Sequence, residues 1–196
     1  MRSQSVPVAF PMLLVALVGL TSGASEQAGV EASPDVPAIV ARVNIVAITR
    51  AVLEARLAQS RSMNPERFDR MTDAERHDAL VRTLDDMIMR EVQVQAARQR
   101  GLTVADEELA ADLEDLAALA RARGGMDRLL AEYGITLEQW KEETRRNLLI
   151  RKLERAEAAT IPPPDRERLW PSRRRAWLRG LIEAADIWRW TPPAAP

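Results

Sequence analysis

The 196-residue sequence contains no cysteine and only one histidine, His77. The first absence excludes disulfide staples, thiolate metal centres, cysteine nucleophiles and an acylated N-terminal cysteine. The second leaves no imidazole pair for a zinc site, and His77, between Arg76 and Asp78, reads as a solvent-facing helix residue. Lysine is nearly missing as well: Lys141 and Lys152 are the only two, and the basic character is carried by arginine. A net charge of −1 with 29% charged residues excludes a polyanion binder held by bulk charge, so nucleic acid is not an expected partner. No glycine-rich loop follows a strand pattern, which leaves nothing to cradle a nucleotide phosphate, and Gly124-Gly125 reads as a helix end. The acids at Asp106–Glu108 fit the positive end of a helix dipole, and those at Asp112–Asp115 fit a solvated helix face. Neither a metal nor a cofactor is expected, and the residues offer no catalytic constellation, so the chain is read as a non-enzyme.

What is present begins with an export pattern. Arg2 precedes a mostly apolar run from Val6 to Leu20, and Ser22 and Ala24 supply the small residues that a signal peptidase requires. Residues 1–24 are therefore read as a signal peptide cleaved after Ala24, implying a periplasmic or otherwise exported product with no stable membrane insertion. The competing reading is an uncleaved anchor in the inner membrane, although the run falls short of a comfortable bilayer span of ~20 residues. Residues 25–37 mix Gly, Pro, Ser and acids without hydrophobic period and read as a disordered linker.

From residue 38 the pattern becomes regular. Ile39, Ala41 and Val43 share one face of a strand, and Val46–Ile48 resume the apolar character, predicting a small hairpin. Thr49 caps a helix from Arg50 to about Ser60, and residues 64–70, with Pro65, predict a loop or a ragged helical turn. Thr72 and Glu75 form a capping box for a long helix whose buried stripe is Leu80, Leu84, Met87, Ile88, Glu91 and Val92, stopped by Gly101. A further helix is predicted from near Thr103 to Gly124, then a short one over Met126–Tyr133 closed by Gly134. Thr136 with Gln139 caps the next, from Leu137 to about Ala158, with Trp140, Thr144, Leu148, Leu149 and Leu153 inward. Ile161-Pro162-Pro163-Pro164 breaks the helical pattern, so that residues 161–171 read as a Pro-rich connection and 172–190 as a returning helix and short strand. Residues 161–196 hold seven arginines against four acids, which reads as the solvated face of that helix.

Taken in order, Val43-Asn44, Ile48-Thr49, Leu84–Ile88 running to Arg100–Val104, and Tyr133–Trp140 followed by Arg145–Ile150 resemble the SurA N-terminal domain family. The resemblance covers residues 38–158, and 172–190 is similar to the segment that returns to this domain in full-length members. It implies a mainly α fold: a helical domain over 38–160 with a small sheet joining a strand near the mature N-terminus to a C-terminal one. It also implies a holdase-type chaperone that binds unfolded exported or outer-membrane polypeptides in an apolar groove, without ATP. The prolines at 162–164 stand where the family inserts its parvulin isomerase domains, so isomerase activity is not expected. Asn44 is followed by Ile45 where the family usually has glycine, which predicts a looser hairpin connection or a shifted strand start.

Soft and aromatic side chains are the candidates for client contact: Met87, Met89, Met126, Tyr133 and Trp140. At helical spacing, most such residues belong to a core. Trp188 and Trp190 are placed on one strand face, covering the core. A second functional reading stands beside the holdase: a non-catalytic envelope adaptor docking on one folded protein, such as a separate prolyl isomerase. A homodimer is left open.

Overall fold

The computed structural model describes residues 36–192. The sequence-based signal peptide and most of the linker lie outside the described residues. Two strands, β1 (Ile39–Val43) and β2 (Val46–Thr49), lead into α1 (Arg50–Met63) and the short α2 (Pro65–Asp69). The long α3 (Asp73–Gln99) is followed by α4 (Asp106–Ala122), α5 (Met126–Tyr133) and α6 (Leu137–Ala158). A 3-10 turn at Pro163–Asp165 connects to α7 (Arg166–Ala184), and β3 (Ile187–Arg189) ends the fold. The protein is thus mainly helical, with one antiparallel sheet in the order β2-β1-β3.

The helix boundaries follow from local chemistry. Thr49 Oγ1 accepts from the Val52 amide at 3.4 Å, and both expected capping boxes form. In the first, the Thr72 amide donates to Glu75 at 2.8 Å and the Glu75 amide to Thr72 Oγ1 at 3.3 Å; in the second, the Thr136 amide donates to Gln139 at 2.8 Å. Gly101 (φ 70°) and Gly134 (φ 63°) take the left-handed conformation that closes α3 and α5. Helix α4 starts at Asp106 and not near Thr103. Glu108 accepts from the Ala105 amide at 2.9 Å, which fixes the start there, while the Thr103 carbonyl accepts from Lys152. Of the two readings of residues 64–70, loop or ragged helical turn, the second holds: the stretch forms the short helix α2, with Pro65 at its permissive first turn. Extended chain after α6 is shorter than the sequence pattern suggested: α7 already begins at Arg166 and runs through Pro171.

The hairpin corrects another expectation. Val43 pairs with Val46, so the connection is the tight two-residue turn Asn44-Ile45 and not a looser one. Of the two turn residues only Asn44 has positive φ (53°). The turn therefore avoids the type I′ geometry that needs positive φ at both central residues, and Ile45 is accepted at the tip, 96% exposed. Asn44 is one of the few residue types that tolerate this region cheaply. Its amide donates to the Asp186 carbonyl at 2.7 Å, its Oδ1 accepts from the Asp186 amide at 3.0 Å, and its Nδ2 donates to Gln95 at 2.6 Å. One turn side chain thus ties β1, the chain entering β3 and α3 together.

Three apolar clusters fill the fold. The first joins β1, β2, α1 and α3 through Val40, Val43, Ile48, Leu53, Leu84 and Met87, and takes in Ile187 and Trp190. A register shift between Ile39 and Ala41 lets both Val40 and Ala41 be fully buried. Val36, read as linker, also packs here, and its carbonyl accepts from Arg50 at 2.9 Å. The second cluster joins α3, α6 and α7 through Val94, Ala97, Leu149 and Leu153, with Trp177 and Leu181 against it. The third, formed by Leu116, Ala120, Leu129, Leu130 and Trp140, holds α4 and α5 on the first turn of α6.

Two carboxylates at helix starts carry a pH signature. The Thr72 amide and hydroxyl hold Glu75 below the ordinary glutamate value; Lys152, then the Ala105 amide, do the same for Glu108. A lowered folded pKa contributes stability above the unfolded value and loses it as pH falls through the folded one. The starts of α3 and α4 should therefore stay capped down to ~pH 4.3, the ordinary glutamate value, and loosen below it. Side-chain carboxyl NMR titration should give both residues midpoints below the ordinary glutamate value, and Glu75→Gln, which can still complete the box, should remove this contribution at α3 and leave that at α4.

Candidate functional site

The middle of the molecule is set by polar contacts between α3 and α6. Arg146 and Glu91 meet at 2.5 Å with their side chains only 9% and 6% exposed. Glu91 also accepts from Gln95 at 2.9 Å, and Gln95 donates to the Val43 carbonyl at 3.1 Å. One turn away Arg90 meets Glu143, whose side chain is wholly buried, at 2.5 Å, and bonds Asn147. Nearer the other end Gln93 and Arg174 share Glu154, at 3.1 and 2.6 Å. Buried charges are tolerated here because each meets an opposite charge with directed hydrogen bonds.

This network borders a cleft. Helix α1 presents Ala55 and Ala58 beside Arg56 and Gln59, and across from them stands the α5–α6 turn with Tyr133, Gly134 and Ile135. The cleft encloses roughly 350 Å³. Its walls are set by small side chains on one side and by a tight chain reversal on the other. The Ile135 amide donates to the Leu130 carbonyl at 3.1 Å, and left-handed Gly134 permits it. Arg56 is half-buried at the α1 wall and donates to Gln59 at 3.1 Å. Burial lowers its pKa, with Glu143 opposing that shift, Arg90 adding to it and Asp86 opposing it. It stays charged under ordinary conditions, as arginine does.

A larger hollow, about 590 Å³, lies at the corner of α1, α2 and α3, with Met63, Pro65 and Met71 among arginines and glutamates. Adjacent residues Ser62 and Met63 line the cleft and the hollow respectively, so the two adjoin at the end of α1. The hollow's polar rim includes the solvated Arg70–Glu66 pair at 3.1 Å, which makes it the wetter part. Met63, 49% exposed, is the apolar residue at the junction.

The five candidate contact residues do not share one groove. Tyr133 lines the cleft while also packing on the third cluster. Met126 and Trp140 belong to that same cluster, and Trp140 is only 9% exposed. Met87 is 4% exposed in the first cluster. Met89 is half-buried on α3, and its two-residue offset turns it to another side of the helix from Met87. Trp188 and Trp190 separate as well: Trp190 packs on the first cluster, whereas Trp188 is 48% exposed. His77 is half-buried. The acid clusters are partly committed to ion pairs, Glu108 with Lys152 at 2.5 Å and Asp112 with Arg151 at 3.0 Å. Among the described residues no group of acids or His is placed to hold a metal, and no helix is long and apolar enough to cross a membrane. Sequence reasoning missed Arg56 and the alanines of α1, which carry no periodic signal. The polar network had one visible trace, Glu91 in the predicted buried stripe.

The hairpin, the helix series and the returning strand define a recognisable class. The family model of the SurA-like N-terminal domain matches residues 1–154, and the chain belongs to that family. Among curated proteins it is similar to Chaperone SurA of Chromohalobacter salexigens, with 31% identity over 172 residues. That match takes in 85% of this chain and 37% of the relative, so the chain spans well under half the length of the protein it matches.

Removing one partner of the buried pair tests its role. Arg146→Met should cost roughly 3–5 kcal/mol in denaturant unfolding, because Glu91 is left buried without its cation. Adding Glu91→Leu to that variant should recover most of the loss. A single variant that unfolds like the parent would show that water replaces the arginine.

Proposed function

We propose that this protein is a periplasmic holdase-type chaperone: it keeps unfolded exported or outer-membrane polypeptides from aggregating by holding short segments in the cleft between α1 and the α5–α6 turn. The observation that carries the reading is the cleft itself, an open channel with small residues on one wall and Tyr133 on the other, in a chain of the SurA-like N-terminal family. Alanines at 55 and 58 impose no side-chain specificity, Tyr133 offers contact area at little entropic cost, and polar groups at Gln59 and Gln139 can meet a client's backbone. Such a surface favours weak, sequence-tolerant binding. It needs no nucleotide, and the reading assigns no isomerase activity to the chain. Of the five soft and aromatic candidates, Tyr133 is the contact residue of this proposal; Met63 joins it from the adjoining hollow.

Light scattering of a denatured outer-membrane protein diluted into buffer tests the function. The purified protein should suppress aggregation at near-stoichiometric amounts, and should do so for an unrelated client too. Ala58→Arg, at an exposed position of α1, should fill the cleft, leave the melting temperature within a few degrees and at least halve the suppression. Failure to suppress aggregation of any client would overturn the holdase reading, and one tight stoichiometric partner would replace it with an adaptor.

A further inference from the structure

The sheet leaves one set of strong hydrogen-bonding groups unused. Strand β3 pairs with β1 in the register Ala41–Arg189, Arg42–Trp188 and Val43–Ile187, and among the described residues no strand lies on its other side. The Trp190 amide donates to the Val40 carbonyl at 2.9 Å, and the Asn44 amide to the Asp186 carbonyl at 2.7 Å. Hydrogen-bonded pairs alternate along an antiparallel ladder, so residues 186, 188 and 190 turn their backbone toward β1. The N–H and C=O of Ile187 and Arg189 therefore point outward from the edge.

That edge carries one large, accessible aromatic side chain among charged neighbours. Trp188 is 48% exposed and stands opposite Arg42, also exposed, for which no carboxylate lies within ion-pair distance among the described residues. A large aromatic side chain left outside in this way on an open edge strand is what most proteins avoid. Two devices limit the hazard here: the strand is three residues long, and the chain meets Pro192 soon after it. An edge this short can take one segment without templating a fibre.

We infer that the outer edge of β3 is a strand-addition site, at which the backbone of Ile187 and Arg189 takes up one extended polypeptide segment while Trp188 covers its side chains. The occupant must present donors and acceptors at every second residue, which is the chemistry of an extended backbone and of no folded helix or small solute. Affinity comes from main-chain bonds, so selection among sequences is slight, with a preference for β-branched and aromatic residues beside Trp188. The site is separate from the cleft, and rests on the holdase reading only in taking unfolded chains as its natural occupants.

A defined probe tests the site apart from that reading: a lysine-flanked octapeptide of alternating Thr and Val, and the same peptide with every backbone amide N-methylated, which leaves neither strand edge a donor. At saturating peptide, amide hydrogen exchange at Ile187 and Arg189 should slow by about tenfold, and the N-methylated peptide should leave it unchanged. Arg189→Pro removes one outward donor where an edge strand tolerates proline, and should weaken binding by about fivefold, the equivalent of one net hydrogen bond. Arg189 also contacts Asp85, so Asp85→Asn, which breaks the same ion pair, should bind like the parent. Unchanged exchange at both amides, or peptide-induced shifts confined to Tyr133 and the cleft, would overturn the inference. Loss of aggregation suppression in the Ala58→Arg variant with peptide still protecting β3 would leave the edge standing as a second site.

Discussion

Everything in the fold is referred to the contact between α3 and α6, and that contact is specified by buried charge. An apolar interface between two long helices can slide by a turn at modest cost, since one leucine replaces another. Glu91 and Glu143 remove that freedom: a slip would separate each from its arginine and leave a carboxylate in a low-dielectric interior, a penalty of several kcal/mol. A buried ion pair adds little net stability compared with well-packed apolar side chains, so what Arg146 and Arg90 supply is register. Helix α1 and the sheet pack on one part of α3, α7 lies over its junction with α6, and the α4–α5 pair sits on the start of α6. Their relative positions follow from the axial register of two helices.

Closure of the chain ends depends on that arrangement. β1 and β3 are separated by more than a hundred residues of sequence, and a three-residue strand cannot hold itself in place. It is held by Asn44, which spends its backbone amide, its side-chain oxygen and its side-chain nitrogen on Asp186 and Gln95. Gln95 in turn bonds Glu91, so the docking of the C-terminal strand is continuous with the buried pair. The residue following β1 thereby serves turn geometry and tertiary closure at once, which is why an asparagine suffices there without a glycine after it.

Much of this was legible in the sequence where a local rule decides the outcome. The capping boxes at Thr72 and Thr136, the Gly134 stop and the helices over 126–133 and 137–158 were readable because caps and period act within a few residues. The pairing of the first strand with the last was anticipated from the family resemblance, since no local signal joins residues so far apart. Errors arose where tertiary contacts override local signals. The prolines at 162–164 led residues 161–171 to be read as a connection, yet α7 extends back to Arg166, which donates to the Ala158 and Ile161 carbonyls and anchors that turn. Ile45 suggested a slack hairpin because Asn-Gly is the familiar signal, and a turn with one positive φ makes the glycine unnecessary. Candidate contact residues were the least legible, because a methionine in a core and one in a groove have the same spacing. Met87 and Tyr133 are told apart only by what packs over them.

The separation of the third cluster from the other two bears on what bounds the cleft. Leu116, Leu129, Leu130 and Trp140 bury one another without drawing on α1 or the sheet, so the α5–α6 turn and α1 belong to separately packed bodies. What crosses between them is α6 itself, the charged group around Arg56, Arg90 and Glu143, and exposed pairs such as Arg151–Asp112 that brace α4 on α6. Solvated pairs of that kind contribute little to rigidity. The width of the cleft is therefore governed by the bending of one helix and by polar contacts and not by a shared apolar core. A channel bounded in this way can admit side chains of different size without exposing either core, which is what the proposed holdase role requires of it.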